Sequence, residues 1–358
     1  MTQSLPFDRD SAGAEQTTTV DNSRALHDWV RREFAEPRLS QTLDAASDRV
    51  SDRHWRGALS GPLLELLSRD GKCFRSRLVE AAFDLGAGGA RQMPTELPLI
   101  VEALHTGSLI VDDIQDDSPS RRGKRALHLL VGVPLALNAG NWLYFLPHRL
   151  LEDLRFEPGV ELALRRAIDR SVLRCHYGQA LDLGVRLAAL SQAEVFDVVT
   201  LSTRLKTGSL LELASEVGAI AGGAPRGLQA ALANFGRRYG IALQMLDDLS
   251  GLYEPKRAQK GLEDLRNGGP TWPWAWLSQR LDEISFSRLQ RQSEAVVAGE
   301  LAPDGLAALL RQKLGDAPQR PVQQELASAF AALSAEVSDR RLLEPLRNEI
   351  ERLEVSYG

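Results

Sequence analysis

Apolar residues recur at three- and four-residue spacing along almost the whole chain after the first twenty or so residues. Between Leu99 and Ile114, apolar or small residues occupy positions 99, 100, 103, 104, 107, 110, 111 and 114. This spacing is typical of amphipathic helices, and the two-residue alternation of half-buried strands is missing from the sequence. Breaks that contain glycine or proline separate helical segments of roughly 15 to 30 residues. The pattern therefore predicts an all-α protein.

The spacing of the breaks predicts a single large helical bundle over residues 23–358, because none of them is long and polar enough to separate two domains. Residues 1–22 are polar and lack the basic start and apolar run of a signal peptide, so we expect a disordered N-terminal tail. The segment from Tyr253 to Trp272 contains three glycines and four basic residues. We interpret it as a long loop, which in a compact bundle often serves as a lid.

Composition narrows the class of protein further. The 358 residues are 43% hydrophobic and 25% charged, and the net charge of −5 gives no whole-chain attraction to nucleic acid. Two distant cysteines, Cys73 and Cys175, form neither a disulfide framework nor a zinc motif. No run reaches the about 18 uncharged apolar residues of a membrane span. We expect a cytoplasmic protein without a nucleic-acid partner or a membrane span.

The strongest chemical feature is an acidic segment that includes Asp112, Asp113 and Asp116. On a helix, Asp112 and Asp116 lie one turn apart on one face, where like charges repel each other. A solvated helix end is the simpler interpretation of such a cluster. Three features favour a cation site instead. Apolar residues precede the segment, an arginine pair follows it, and a second acidic pair, Asp247 with Asp248, lies further along the chain.

Two carboxylate clusters on facing helices are suited to Mg2+, which binds substrate phosphates through few protein ligands. The implied ligand is a diphosphate, and basic side chains supply the matching contacts to such an anion. Six candidates lie on several separate predicted segments: Lys72, Arg75, His105, Arg121, Arg122 and Lys206.

In order and spacing, these motifs resemble those of the trans-isoprenyl diphosphate synthases, the polyprenyl synthetase family, from about Leu64 to Pro273. The matching segments are GKCFR at 71–75, Glu102 with His105, DDIQD at 112–116, Arg121-Arg122-Gly123, Gly178-Gln179 with Asp182, Lys206-Thr207, and Gln244 with Asp247-Asp248. The resemblance implies an all-α bundle of the isoprenoid synthase type and a homodimer. It also implies elongation of an allylic diphosphate by isopentenyl diphosphate.

The resemblance further implies the roles of individual residues. About three Mg2+ ions would be bound, as expected for a metal-assisted diphosphate departure. The predicted metal ligands are Asp112, Asp113, Asp116, Asp182, Asp247 and Asp248. The predicted catalytic residues are Asp112, Asp113, Asp116, Lys206 and Asp247. The predicted substrate-binding residues are Lys72, Arg75, His105, Arg121, Arg122, Thr207 and Gln244. Structural alternatives are a Gln179–Asp182 pair, a backbone cap by Gln244 and a helix-carbonyl contact by Thr207.

Two departures from the family pattern leave other functions open. Gly251 stands where the family has a third aspartate, and Gly269 stands where it has a lysine. Asp247, Ser250 and Glu254 loosely resemble the magnesium triad of class I terpene synthases, so a terpene synthase on the same scaffold is an alternative. A non-catalytic partner subunit is a further one, although the intact first motif argues against it.

Product length depends on the residues below the first aspartate motif. Gly107 and Ser108 occupy positions where bulky aromatics stop the product early in this family. Their small size predicts a product of C20 or longer. Trp142, Tyr144 or Phe145 on the next predicted helix could stop the growing product at a deeper position.

Overall fold

The computed structural model describes residues 22–43, 50, 52–69, 74–315 and 319–357. Within these ranges the chain forms eighteen α-helices and one short hairpin, which confirms the predicted all-α class. The first nine helices are α1 (Asn22–Glu33), α2 (Arg38–Leu43), α3 (Asp52–Trp55), α4 (Gly61–Leu67), α5 (Phe74–Ala87), α6 (Leu99–Gln115), α7 (Leu127–Val131), α8 (Val133–Leu154) and α9 (Pro158–Gly184). The others are α10 (Gln192–Thr203), α11 (Ser209–Gly222), α12 (Arg226–Tyr253), α13 (Ala258–Asn267), α14 (Trp272–Arg280), α15 (Glu283–Val297), α16 (Pro303–Leu314), α17 (Arg320–Ser334) and α18 (Glu344–Tyr357).

Helix α11 lies at the centre of the bundle. Its sequence, SLLELASEVGAIAG, is apolar or small on nearly every face, as a helix surrounded by other helices requires. It packs against α5, α9 and α12. Glycines allow the close approach: a Cβ at Gly218 would lie 2.2 Å from the Val79 carbonyl oxygen, and one at Gly236 would lie 2.4 Å from the Leu211 carbonyl oxygen. The helices that carry the acidic motifs are built around this core.

The segment between α12 and α14 is not the long loop that the sequence pattern suggested. A 3₁₀ turn at Pro255–Arg257 and helix α13 occupy most of it, so that interpretation is wrong. The glycines misled it because Gly261 lies inside α13, where it faces Gly251 of α12. Gly268, with φ at +67°, is the glycine that ends the helix.

A small hairpin follows α6 and was not predicted. Its strands are β1 (Ser120–Arg121) and β2 (Lys124–Arg125), paired in antiparallel register. Arg122 and Gly123 form the turn with φ of +50° and +74°, the combination of a type I′ turn. Two-residue strands are too short to show periodicity, so the sequence pattern could not indicate them.

Some predictions fall on residues that the structure does not describe. These are residues 1–21 of the expected tail, and also Lys72 and Cys73. In the described part of the chain, every helix is too short or too polar to span a bilayer.

Candidate active site

The first acidic cluster lies at the C-terminal end of α6. Asp113 is buried and accepts hydrogen bonds from the guanidinium of Arg121, with 2.9 Å between Arg121 Nε and Asp113 Oδ1. Arg121 comes from the hairpin, so this ion pair fixes the hairpin against the end of α6. Asp112 and Asp116 lie one turn apart, as the sequence spacing predicts, and neither shares that arginine contact.

Asp112 and Asp116 carry more negative charge than their surroundings compensate. Burial raises the pKa of Asp112 to about 6, and the charges of Asp116 and Asp182 add to the effect while Lys206 opposes it. Burial likewise raises the pKa of Asp116. Lys206 Nζ lies 3.9 Å from Asp112 Oδ2, beyond a direct hydrogen bond. Asp112 and Asp116 together therefore favour the binding of a further cation near their carboxylates.

Lys206 and Thr207 lie in a π-helical turn, Arg204–Gly208, between α10 and α11. Such turns are frequent at functional sites. Glycines on two neighbouring helices allow those helices to pack closely against this turn. A Cβ at Gly178 would lie 2.7 Å from Lys206 N, and a Cβ at Gly240 would lie 2.8 Å from the Thr207 carbonyl oxygen.

The π-helical turn delivers the Lys206 ammonium to Asp182 of α9, with 2.6 Å between Nζ and Oδ2. Gln179, one turn earlier on α9, donates to Gln115 of α6 at 2.8 Å. The suggested Gln179–Asp182 pair is therefore wrong. Asp182 instead connects α9 to the lysine that faces Asp112.

The second acidic pair lies near the end of α12 and is fully engaged by protein donors. Asp247 accepts from Arg257 Nη1 at 2.6 Å and from the Lys260 ammonium. Asp248 accepts from Gln244 Nε2 at 2.8 Å and from the backbone N–H of Trp272 at 2.9 Å, at the start of α14. Burial raises the pKa of Asp248 to about 6, against the opposing effect of these two donors.

Thr207 and Gln244 connect the two acidic regions. The Thr207 hydroxyl donates to Gln244 Oε1 at 2.8 Å, and the Gln244 amide donates to Asp248. Side-chain contacts therefore replace the helix-carbonyl contact and the backbone cap that were the structural alternatives. The two residues fix the position of the π-helical turn relative to the end of α12.

A group of basic side chains, the arginine pocket, lies about two helical turns before Asp112 on α6 and is formed by Arg75, Arg122 and His105. Burial, with the charges of Arg75, Arg122 and Arg121, holds the pKa of His105 well below its usual value, so the ring is neutral. Burial also lowers the pKa of Arg75, whose Nε has no hydrogen-bond partner among the described residues. The nearby carboxylate is Glu102, which accepts from Ser76 at 2.6 Å. Among the described residues, positive charge exceeds negative charge here, as a pocket for an anion requires.

A buried arginine holds the hairpin that supplies Arg121 and Arg122. Arg69 donates to the carbonyl oxygens of Arg121, at 2.9 Å, and of Arg125, at 3.0 Å. Arg122 Nη1 in turn donates to the Arg69 carbonyl oxygen at 3.0 Å. The left-handed backbone of Arg122, which is unusual for a residue with a side chain, is thereby maintained.

The two acidic clusters differ in how well their carboxylates suit Mg2+ as ligands. Within the described ranges, no three Asp, Glu, His or Cys side chains converge into a complete metal site. Mg2+ commonly uses one or two carboxylates together with substrate phosphates. Asp112 and Asp116 fit that chemistry, because no described side chain donates a hydrogen bond to either carboxylate and Lys206 compensates their charge only in part. Asp113, Asp247 and Asp248 are already engaged with protein donors.

Sequence reasoning did not identify the charged residues that surround the second pair. Arg257 and Lys260 both contact Asp247. Burial raises the pKa of Asp264 to about 7, although Lys260 opposes that shift. The spacing of Lys260 and Asp264, four residues apart, would have indicated a helical ion pair had the segment been predicted as a helix.

Comparison with known proteins identifies the family of the chain. A family profile described as polyprenyl synthetase matches residues 57–295. A (2E,6E)-farnesyl diphosphate synthase from Mycobacterium tuberculosis is 32% identical over 253 residues, which is 68% of each chain. A geranylfarnesyl diphosphate synthase from Aeropyrum pernix is 34% identical over 220 residues, covering 60% of this chain and 68% of that relative. The crystal structure of a decaprenyl diphosphate synthase from Rhodobacter capsulatus has a TM-score of 0.72 at 23% identity and covers 94% of this chain and 97% of its own.

The helical bundle, with its acidic clusters and its arginine pocket, defines the class of trans-prenyltransferases. The chain belongs to the polyprenyl synthetase family, as the profile match over residues 57–295 shows.

Proposed function

We propose that the protein elongates an allylic diphosphate with isopentenyl diphosphate in a Mg2+-dependent reaction. The observation that carries the proposal is the arginine pocket beside α6, separate from the Asp112–Asp116 cluster. A buried guanidinium Nε that has no hydrogen-bond partner among the described residues, next to a neutral histidine, favours the binding of an anionic ligand. A reaction that uses the allylic diphosphate alone would not need this second anion pocket.

The residues divide the chemistry between the two regions. Asp112 and Asp116 would hold Mg2+, which supplies positive charge to the departing diphosphate. Lys206, oriented by Asp182, donates to the same diphosphate and stabilises the charge that develops on it. Asp113 positions Arg121 for a further contact.

The arginine pocket binds the other substrate, isopentenyl diphosphate. Arg75, His105 and Arg122 contact its diphosphate, and Lys72, which lies outside the described residues, belongs to the same set. This contact orients the isopentenyl double bond towards the allylic carbon. The apolar interior of the bundle excludes water from the allylic cation.

Product analysis tests the proposal. The purified protein is incubated with Mg2+ and geranyl, farnesyl or geranylgeranyl diphosphate, each with and without isopentenyl diphosphate. The expected result is a longer diphosphate that forms only when isopentenyl diphosphate is present. A hydrocarbon or alcohol formed without it would identify a terpene synthase on this scaffold, and no product in either arm would favour a non-catalytic subunit.

For product length we propose C20 or longer, and the structure changes which residue should be tested. Gly107 is a packing residue, because a Cβ there would lie 2.9 Å from the Gly140 carbonyl oxygen of α8. Among the three aromatics on α8, Trp142 stacks on Phe34 with 5.6 Å between ring centroids, and Phe145 is exposed. Tyr144 is half-buried, and burial with the charge of Asp112 raises its pKa.

Tyr144 therefore lies close enough to Asp112 for the aspartate charge to affect it, and its ring lies 5.5 Å from that of His176. Tyr144→Ala is expected to lengthen the main product by about one isoprene unit, because the truncation opens space below Asp112. Tyr144→Phe keeps the ring and should leave the distribution unchanged. Chromatography of the dephosphorylated products measures both, and equal distributions for the alanine variant and the wild type would contradict the assignment.

We also propose a homodimer in the cytoplasm. Phe145 of α8 is 72% exposed, and Leu173 and Tyr177 of α9 are 60% and 65% exposed. Large apolar side chains grouped on neighbouring helices are typical of a surface that another protein covers. Light scattering is expected to give twice the chain mass of 39.3 kDa, and Leu173→Asp is expected to give the monomer. A monomeric wild type would contradict the dimer. The sequence contains only two cysteines, far apart, and such sparse cysteine usage fits the reducing compartment that we propose.

A further inference from the structure

Each carboxylate oxygen of the second acidic pair already accepts a hydrogen bond from a protein donor. Asp247 Oδ1 accepts from Arg257, and Asp247 Oδ2 accepts from Lys260. Asp248 Oδ1 accepts from the Gln244 amide, and Asp248 Oδ2 accepts from Trp272 N. Ser250, the next polar side chain on this face of α12, accepts from Arg257 Nη1 at 2.7 Å. One arginine and one lysine therefore occupy the positions around Asp247 that a divalent ion would take.

The position of α13 follows from two glycines. A Cβ on Gly251 would lie 3.0 Å from Gly261 Cα, and a Cβ on Gly261 would lie 2.0 Å from the Gly251 carbonyl oxygen. The backbones of α12 and α13 therefore touch at this point, and no side chain fits between them. The contact brings Arg257 and Lys260 within hydrogen-bond reach of Asp247. Gly251, which stands where the family has a third aspartate, therefore has two effects. One carboxylate is missing, and the side chains of Arg257 and Lys260 can approach Asp247.

We propose that Arg257 and Lys260 take the place of a divalent ion at Asp247, so that metal ions bind this protein through the Asp112–Asp116 cluster alone. Two positive groups already balance the Asp247 charge. A Mg2+ at an oxygen distance of about 2.1 Å would lie against both of them in a partly buried site. Losing both cations would instead leave a buried carboxylate uncompensated.

Arg257 and Lys260 also allow the site around Asp247 to bind an anion. The Lys260 side chain is 52% exposed, so its ammonium can donate to a ligand while it remains paired with Asp247. The ring of Tyr357, at the end of α18, lies 4.6 Å from the Arg257 guanidinium carbon and keeps that side chain in place. The ligand chemistry that fits is an oxygen-rich anion, a diphosphate group. This part of the inference rests on the proposed function.

Counting bound metal ions tests the inference without relying on turnover. Mn2+ is titrated into the protein in the presence of inorganic pyrophosphate, and the unbound ion is followed by electron paramagnetic resonance. Asp247→Asn is expected to bind the same number of ions as the wild type, with an apparent Kd within about twofold. Asp112→Asn is expected to bind fewer ions, because it removes a ligand from the uncompensated cluster.

A double variant tests whether the cations are what excludes the metal. Arg257→Gln with Lys260→Gln uncovers Asp247 and is expected to bind more Mn2+ than the wild type. Adding Asp247→Asn to that variant should remove the gain. Arg266→Gln, on the exposed face of α13, removes a positive charge from the same helix and should change nothing.

The possible failures can be told apart. Fewer bound ions in Asp247→Asn than in the wild type would overturn the inference and leave chain elongation intact, even if the double variant does not fold. No Mn2+ binding by the wild type would overturn it together with the proposed metal dependence. Product analysis with isopentenyl diphosphate tests the reaction itself, independently of either count.

Discussion

Asp112→Asn is expected to reduce prenyl transfer by about a thousandfold while making the ligand-free protein more stable at pH 7.5. The loss of activity follows because the change removes a predicted metal ligand where charge must be stabilised as the diphosphate departs. The gain in stability follows from the raised pKa of Asp112, which means that ionising this side chain costs free energy in the folded state.

The pH dependence of the stability gain has a definite sign. The pKa of Asp112 is about 6 in the folded protein, above the usual value for an unfolded chain. The penalty is therefore absent below about pH 4, where both states are protonated, and it is complete above about pH 6. Its upper limit is about 3 kcal/mol, or a few degrees of melting temperature for a chain of this size.

Melting curves at pH 4.5 and 7.5, recorded beside the product assay, measure both effects. The stability difference between Asp112→Asn and the wild type should be large at pH 7.5 and small at pH 4.5. Asp117→Asn is the matched control, because this neighbouring carboxylate is exposed and asparagine tolerates its left-handed backbone. An Asp112→Asn protein that is as active as the wild type would rule out the metal role.

Gly251→Asp, which restores the aspartate of the family pattern, is expected to destabilise the protein by about 3 kcal/mol. The new side chain would enter the contact between α12 and α13, where a Cβ alone would already lie 3.0 Å from Gly261 Cα. To admit it, α13 must move away, which breaks the pairing of Arg257 and Lys260 with Asp247. The variant therefore combines a steric cost with a buried charge.

The other departure from the family pattern provides the control. A Cβ at Gly269 would meet no heavy atom within 4 Å, so Gly269→Lys should leave the stability unchanged. Urea unfolding of both variants and of the wild type measures the difference in free energy. If Gly251→Asp unfolds at the same urea concentration as the wild type, the close helix contact does not govern the position of α13.

The sequence was informative wherever its signal was local. The three- and four-residue spacing of apolar positions predicted the helices, and the positions of Asp112 and Asp116 on one helical face predicted a shared acidic site. The uncompensated charge that makes this cluster a cation site depends on burial, which a sequence does not show. Only the structure identifies Asp113 as the partner of Arg121.

The wrong interpretation of the segment before α14 has a physical cause, which is that a glycine can either break a helix or allow two helices to touch. The segment that contains Gly261 was interpreted as a loop because glycines weaken helices, yet this glycine packs against Gly251 inside α13. Gly107, on which the product-length prediction rests, likewise faces Gly140 across a helix contact. The role of each glycine depends on a partner distant in sequence, and no single-chain pattern reveals that partner.

The hairpin after α6 has a consequence for the geometry of the reaction. Arg121 turns towards the first acidic cluster and Arg122 towards the arginine pocket, although they are consecutive residues held by the same buried Arg69. The two contacts that the hairpin supplies are therefore separated by only a few covalent bonds, whereas those from Lys206 and Arg75 depend on how the helices pack. In the proposed complex, a movement of the hairpin would shift both arginine contacts together, which limits its effect on the gap that the new carbon–carbon bond must close.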